Sequence, residues 1–312
     1  MKKIEEIKEL LSNIIVPQDG YNLSSLNDFL WGKGSNGEIV FGFLSKKDNF
    51  LPLTEITRHL KLYINTFFEL KINNVISNKK ISLLILKTVN EKYVDIFISL
   101  ILSMAYDLKE EKLLRYFLEL KTLFSNERKT SQNELEGMYG ELFTIVYLKQ
   151  QYDIDISKYY QKEDKRKFDF SITDKKKIEI KTTLKPERIH HFLHQQLDTD
   201  RFDIKVISLM IQKDDKGMSL LDIINTCKQI FSNNFQLILH IEMMIKNIDK
   251  HELEDIKFNY GYTHGNFKIF DALSLPKIKE KNVDGVFNVE YDVDFTNVVN
   301  ENINSFEEWI LK

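Results

Sequence analysis

The segment Lys177–Leu184, KIEIKTTL, alternates polar and apolar residues and carries two β-branched threonines before its last residue. That pattern belongs to a half-buried strand, in which successive side chains point to opposite faces. Ile178 and Ile180 then enter a core, while Glu179, Lys181 and Thr183 share the other face. Just upstream, Lys167–Ile172 (KFDFSI) reads as a second strand, joined to the first by a tight turn at ITDKK. Asp169 sits between Phe168 and Phe170 and faces away from both. Antiparallel pairing of the two strands places Asp169 and Glu179 on one face, so two carboxylates and a lysine converge.

The flanking sequence sets what surrounds this pair. Upstream, Glu38–Ser45, Leu62–Ile72 and Ile81–Thr88 are β-branched and aromatic runs separated by turn signals, which predicts a β-rich start behind an opening helix. Apolar residues at three- and four-residue spacing predict helices over Lys92–Leu108, Glu111–Phe124 and Glu134–Gln150. Downstream come an expected strand at Ile204–Ile211 and helices near Ser219–Phe231 and Leu237–Asn247. Strands around Phe267–Leu273 and Val286–Val293 and a helix at Phe306–Leu311 complete the chain. The order predicts an α/β (α+β) protein: a mixed β-sheet core flanked by helices, behind a β-rich then helical N-terminal region. The polar stretch Ser125–Asn133 marks the expected boundary, giving residues 1–130 and 131–312. No internal repeat is present, which argues against solenoids.

Paired carboxylates are hard oxygen ligands for Mg²⁺. A metal held by them polarises a phosphoryl oxygen and lowers the pKa of a bound water. A lysine beside them orients that water and offsets negative charge in the transition state. A third acid supports this. In the helix ELEGMYGELFTIVYLKQ the apolar stripe is Leu135, Met138, Leu142, Ile145 and Leu148, and Glu141 projects between Ile145 and Leu148. An unpaired carboxylate in that arc costs several kcal/mol, on the order given for desolvated charges, so it needs a compensating partner. Gly137 and Gly140 each cost about 1 kcal/mol of helix propensity, which points to close approach by a neighbour.

Asp169, nine residues, then Glu179-Ile180-Lys181 resembles the D-x(n)-(D/E)-x-K signature of the PD-(D/E)XK nuclease superfamily. The Gly140-Glu141 helix resembles the one that supplies a further acid in many members. More narrowly, GMYGELF, FDF, IEIKTT and RIHHFLHQQLD in that order resemble a bacterial family of uncharacterised PD-(D/E)XK-motif proteins found in restriction-modification and phage-defence loci. WGKGSNGEIVFGF and LSLPKI resemble its flanking pieces, so the likeness spans roughly residues 30–280. The resemblance implies a restriction-endonuclease-like core and a Mg²⁺-dependent DNA endonuclease, with Mn²⁺ able to substitute. It implies Asp169 and Glu179 as metal ligands, Lys181 as the catalytic lysine and Glu141 as an accessory acid and metal ligand. Gln196 corresponds to a glutamine that often follows the core strands. Thr183, Arg188 and His190 are the remaining candidates for nucleic-acid contact or support of the carboxylates. Two departures stand out: no proline precedes Asp169, and HHFLHQ replaces the usual serine-rich segment before the glutamine. DNA is the expected partner, and cutting both strands calls for a homodimer or a partner subunit. The rival reading is a catalytically silent nucleic-acid-binding or scaffolding subunit of a defence complex. An RNA substrate differs from DNA in nothing these residues reveal.

Composition excludes other classes. The 43% apolar fraction is too high for disorder, and a single cysteine, Cys227, rules out a disulfide scaffold and Cys-cluster metal sites. A reducing, cytoplasmic setting fits. The start MKKIEEIKEL reads as an amphipathic helix rather than a secretory leader. Tyr93–Tyr106, the most membrane-like run, falls short of the ~20 residues that span a bilayer and carries Asp95, so it reads as a buried helix. The net charge is −3, yet Lys158–Arg188 holds eleven Lys/Arg against six Asp/Glu, a local basic stretch suited to phosphates. Tyr159, Tyr160 and Phe168 lie among those lysines and have two readings, base stacking or packing.

His190 and His194 at i, i+4 would share a helix face as half a zinc site, but the Glu of an HExxH motif is missing. Gly32, Gly34 and Gly37 spell GxGxxG, yet a strand rather than a helix follows, which favours a loop entering a strand. No GxSxG elbow is present, and Cys227 falls in a helical apolar pattern.

Overall fold

The computed structural model describes residues 2–26, 28–45, 51–72, 75–105, 108–125, 128–160, 168–278 and 286–312. Lys167 at the head of the expected strand, and residues 161–167 of the basic stretch, lie outside them. By internal contacts the chain divides into residues 1–128 with 232–246, and residues 129–231 with 247–312. One crossing falls beside the expected boundary, but the excursion of 232–246 is not contained in a single cut at 130/131.

The first unit opens with α1 (Lys2–Asn13), followed by β1 (Tyr21–Leu26), β2 (Phe29–Gly34), β3 (Ile39–Leu44), β4 (Leu53–Ile56), β5 (Leu60–Ile72) and β6 (Val75–Leu86). Next come α2 (Glu91–Met104) and α3 (Glu110–Ser125). The six strands form one sheet in the order β1-β2-β3-β6-β5-β4, every pair antiparallel. Alternation divides its side chains: Ile39, Phe41, Leu84 and Leu86 meet the helices, while Val40, Ile81, Leu83 and Ile85 form a smaller cluster. The near-continuous apolar run of β6 is what burial on both faces requires. The helix Tyr93–Tyr106 was expected to bury is indeed core: Phe97, Leu100 and Ile101 in α2 are inaccessible. No helix among the described residues is long and apolar enough to cross a membrane. The GxGxxG run is a hairpin: Gly32 and Gly34 belong to β2, and Gly37 turns the chain at φ +79°, where other residues are strained.

The second unit begins with α4 (Gln132–Tyr152), followed by β7 (Phe170–Ser171), β8 (Lys176–Thr183), β9 (Ile189–Leu193), β10 (Asp203–Met210), β11 (Lys213–Ser219) and α5 (Leu220–Ile230). The chain then supplies α6 (Phe235–Ile245) to the first unit, whose core takes Phe235, Ile238 and Leu239. It returns through α7 (Lys250–Asp255), β12 (Lys257–Phe258), α8 (Tyr260–Gly265), β13 (Lys268–Asp271), β14 (Glu290–Asp294) and α9 (Ile303–Leu311). A four-stranded mixed sheet, β13-β10-β8-β7, forms the core; β8 and β10 run parallel and the outer pairs antiparallel. With helices around it, this is the α+β, restriction-endonuclease-like class.

Ser131 starts α4 with a capping box: its hydroxyl accepts from the Glu134 N–H, and the Glu134 carboxylate accepts from the Ser131 N–H at 2.9 Å. The predicted stripe Leu135, Met138, Leu142, Ile145 and Leu148 is buried throughout. Of the two glycines in this helix, only Gly140 makes a close approach. A Cβ there would fall 1.8 Å from Thr182 Oγ1, whereas nothing lies within 4 Å of one at Gly137. The helix and β8 therefore touch at a contact that only glycine permits.

The segment around His190 is a strand, not the helix that a shared face for His190 and His194 would need. Residues 189–193 form β9, which pairs antiparallel with β14, and a 3₁₀ turn follows at His194–Leu197. The IHHFL sequence alternates, burying His190 and Phe192 and exposing His191 and Leu193. His190 and His194 therefore share no helix face, and the half-site for zinc is not formed.

Candidate active site

The hairpin of β7 and β8 places the acids. Its turn is closed by the Ile172 N–H on the Lys176 carbonyl (3.0 Å), and Thr173 Oγ1 accepts from the Lys176 N–H. The register pairs Phe170 with Ile178, so Asp169 falls opposite Glu179 one step further along. Asp169 Oδ2 accepts a hydrogen bond from the Ile180 N–H at 2.6 Å. Across the parallel neighbour, Val206 pairs with Glu179 and Ser208 with Lys181.

Glu179 is 2% exposed. Its Oε1 accepts from Lys181 Nζ at 2.8 Å and from Gln196 Nε2 at 2.6 Å. Gln196 Oε1 in turn accepts from Lys181 Nζ (3.0 Å) and from the Leu193 N–H (3.1 Å), tying the turn after β9 to both charged groups. The same ammonium lies 4.8 Å from the centre of the Phe192 ring, within cation–π range. Lys181 is therefore held from three sides: a carboxylate, an amide and an aromatic face. Glu179 Oε2 is buried with no hydrogen-bond partner.

Electrostatics connect the three acids. Burial, then the charge of Asp169, push the Glu179 carboxyl up to about 8, against the pull of Lys181. Asp169 is raised by burial, opposed by the Ile180 N–H and Lys181. Glu141, on α4, is raised well above the usual carboxylate range by burial and then by the charges of Asp169 and Glu179. Withdrawal from water and mutual repulsion favour the protonated forms, as expected for carboxylates sharing a site. One lysine does not neutralise this group.

The other predicted residues make their hydrogen bonds to groups other than these carboxylates. Thr183 Oγ1 accepts from the Lys185 N–H and braces the exit from β8. Arg188, buried, donates through Nη1 to the Ser208 carbonyl (2.9 Å) and Oγ (2.7 Å), and through Nη2 to the Asn266 carbonyl. His190 Nε2 lies 2.6 Å from the same Ser208 Oγ. Burial first, then the nearby Arg188 charge, lowers the imidazole to about 3, so it is neutral near pH 7. These two residues lock β9 to β10, and their hydrogen bonds go to Ser208 and Asn266. Sequence reasoning did not single out Phe192, Thr182 or Ser208. The alternation of IHHFL carries the signal for Phe192, and the glycine inside α4 carries the one for its partner Thr182.

A family model described as "Putative PD-(D/E)XK family member, (DUF4420)" matches residues 26–296. The chain belongs to this family. DUF4420 membership agrees with the superfamily resemblance of the hairpin and with the nuclease-like fold. No curated protein and no solved structure matches the chain. Superfamily members generally use divalent metals, and the donor set here fits one. Mg²⁺ needs only one or two carboxylates and keeps several waters. That matches a site where, among the described residues, no three His, Cys, Asp or Glu side chains form a cage by themselves. The unpartnered Glu179 Oε2 and the mutual repulsion of the acids when ionised are the features that a hard cation would satisfy.

Proposed function

We propose that this chain is a metal-dependent endonuclease that hydrolyses DNA phosphodiester bonds in restriction or phage defence. The observation that carries the reading is a single lysine, Lys181, fixed by Glu179, Gln196 and Phe192 beside acids that repel one another. Asp169 and Glu179 would hold Mg²⁺, or Mn²⁺ in its place. Such an ion supplies Lewis-acid polarisation of the phosphoryl oxygen and a lower pKa for its water.

Lys181 orients the attacking water and offsets the charge that develops on the phosphoryl oxygens. Gln196 keeps the ammonium and the Glu179 carboxylate in one geometry, so little reorganisation accompanies the reaction. Glu141 would supply a third acid, for waters of the ion or for a second ion. The defence setting follows from the sequence resemblance to proteins of restriction-modification and phage-defence loci, and cleavage of both strands calls for a homodimer or a partner subunit.

Plasmid cleavage with Mg²⁺ tests the reading on wild type, Lys181→Ala and Asp169→Ala. The expected result is product from wild type only. Equal cleavage by all three ends the assignment. DNA binding in EDTA without product on adding Mg²⁺ or Mn²⁺ points instead to the silent subunit.

A further inference from the structure

In the first unit, two paired strands outrun the described pairing of their neighbours, and the catalytic reading leaves them unused. Strands β5 and β6 stay paired through seven successive positions, from Thr66–Ile81 to Ile72–Val75. At about 3.4 Å per residue that is a ribbon of roughly 20 Å. The neighbouring strands stop short of it. β4 pairs with β5 no further than Ile64, and β3 pairs with β6 from Leu86 to Ile81, with a last bond from the Ser45 N–H to the Lys80 carbonyl. Past Lys80, among the described residues, neither β3 nor β4 flanks the ribbon.

A bulge marks the departure. The register slips between Tyr63 and Thr66, where Asn65 adopts φ 48° and its N–H donates to Ser82 Oγ. Bulges bend a strand and increase its twist. Phe68, on one face, is rooted against Tyr63 and Tyr21 at ring distances of 5.2 and 6.2 Å. On the other face Phe67 is 64% exposed, and Lys80 Nζ lies 5.2 Å from its ring centre. Lys79, Asn78 and Glu69 are exposed as well. The ribbon sequence holds three lysines (Lys71, Lys79, Lys80) against one glutamate, in a chain whose net charge is −3.

An isolated two-stranded hairpin is marginally stable in water, and an exposed edge invites unwanted pairing. The exposed, lysine-bearing surface of this ribbon is complementary to an anionic partner. We infer that the β5–β6 ribbon enters the major groove of duplex DNA. That groove is about 12 Å wide and admits a two-stranded β-ribbon. Lys79 and Lys80 meet phosphates, and the exposed Phe67 ring offers apolar contact to base edges. The deep, narrow major groove of A-form RNA excludes such a ribbon, which selects DNA over double-stranded RNA. This assignment adds to the nuclease reading the element that grips duplex DNA and rests on that reading for its purpose, but its test is a binding measurement with the hydrolytic centre idle.

The full-length chain is titrated onto a labelled DNA duplex of about 30 base pairs in EDTA, across about 50 to 200 mM salt. Lys79→Ala/Lys80→Ala is compared with wild type and with Lys250→Ala/Lys312→Ala, an equal loss of exposed charge elsewhere. Two lost phosphate contacts should weaken binding on the order of 10-fold near physiological salt and flatten the log–log salt slope by about 2. The control pair should match wild type, Phe67→Ser should weaken binding at every salt concentration, and duplex RNA should respond to none of these changes.

Absence of wild-type binding overturns the inference, as does an unchanged slope in the ribbon variant or an equal loss on DNA and RNA. Sedimentation showing that the ribbon variants only dissociate an oligomer overturns it too. A protein that binds through the ribbon yet cuts nothing with Mg²⁺ retires the nuclease reading and leaves this one standing. One that cuts normally while Lys79→Ala/Lys80→Ala binds unchanged does the reverse.

Discussion

Glu179→Gln should make the metal-free protein more stable above neutral pH, although it removes a proposed metal ligand. An unfolded glutamate titrates near 4.5, whereas burial and Asp169 move the folded group to about 8. The native state thus holds this proton more tightly than the unfolded chain does. Its contribution is fully present below the unfolded value and is lost as pH rises toward 8. At 1.36 kcal/mol per pH unit the whole interval is worth on the order of 4 to 5 kcal/mol, of which about 3 falls between pH 6 and 8.5. Asp169 and Glu141, also raised, add to the effect with the same sign. Glutamine keeps an oxygen for Lys181 and Gln196 but carries no charge to desolvate. Urea unfolding in EDTA at these two pH values should show wild type losing at least about 3 kcal/mol and Glu179→Gln losing less by roughly that amount. Added Mg²⁺ should stabilise wild type more at pH 8.5 than at pH 6, because a proton competes for the same oxygen. A variant with the wild-type pH slope would refute the reasoning.

Three further perturbations have expected outcomes. Gly140→Ala forces a methyl against Thr182 Oγ1 and should cost about 1 to 3 kcal/mol, with Thr182→Ala restoring much of the melting temperature in the double variant. Lys205 is buried between Asp271 (2.9 Å) and Glu301 (2.7 Å), so Lys205→Met should cost about 3 to 5 kcal/mol in urea unfolding by stranding two acids. Phe192→Leu removes the ring under Lys181. It should lower kcat on plasmid by several-fold to about 30-fold, given about 1 to 2 kcal/mol for a desolvated cation–π contact, with little change in DNA affinity.

Where local periodicity sets the structure, the sequence was legible. KIEIKTTL alternates, and β8 spans Lys176–Thr183 with Ile178 and Ile180 buried on one face. The stripe of α4 and the burial of Phe97, Leu100 and Ile101 follow the same logic, with period 3.6 in place of 2. At His190 the i, i+4 spacing and the alternation of IHHFL point to different elements, and the chain follows the alternation. The pairing of β9 with β14, a partner about 100 residues away, decided the matter, and no local pattern encodes it. Arg188 and His190 were singled out for their chemistry, yet their hydrogen bonds converge on Ser208, a small residue inside an apolar strand. Likewise, Gly140 announced a close contact without naming Thr182.

The excursion of residues 232–246 also bears on how this chain may be dissected. A fragment ending at 128 would leave its apolar helices without Phe235, Ile238 and Leu239, and so present a raw hydrophobic scar to solvent. A fragment starting at 129 would carry that helix with nothing to bury it. Truncation at the obvious seam should therefore yield aggregates from both halves, whereas excising 232–246 together with the first segment, as a grafted or co-expressed piece, preserves what each half needs.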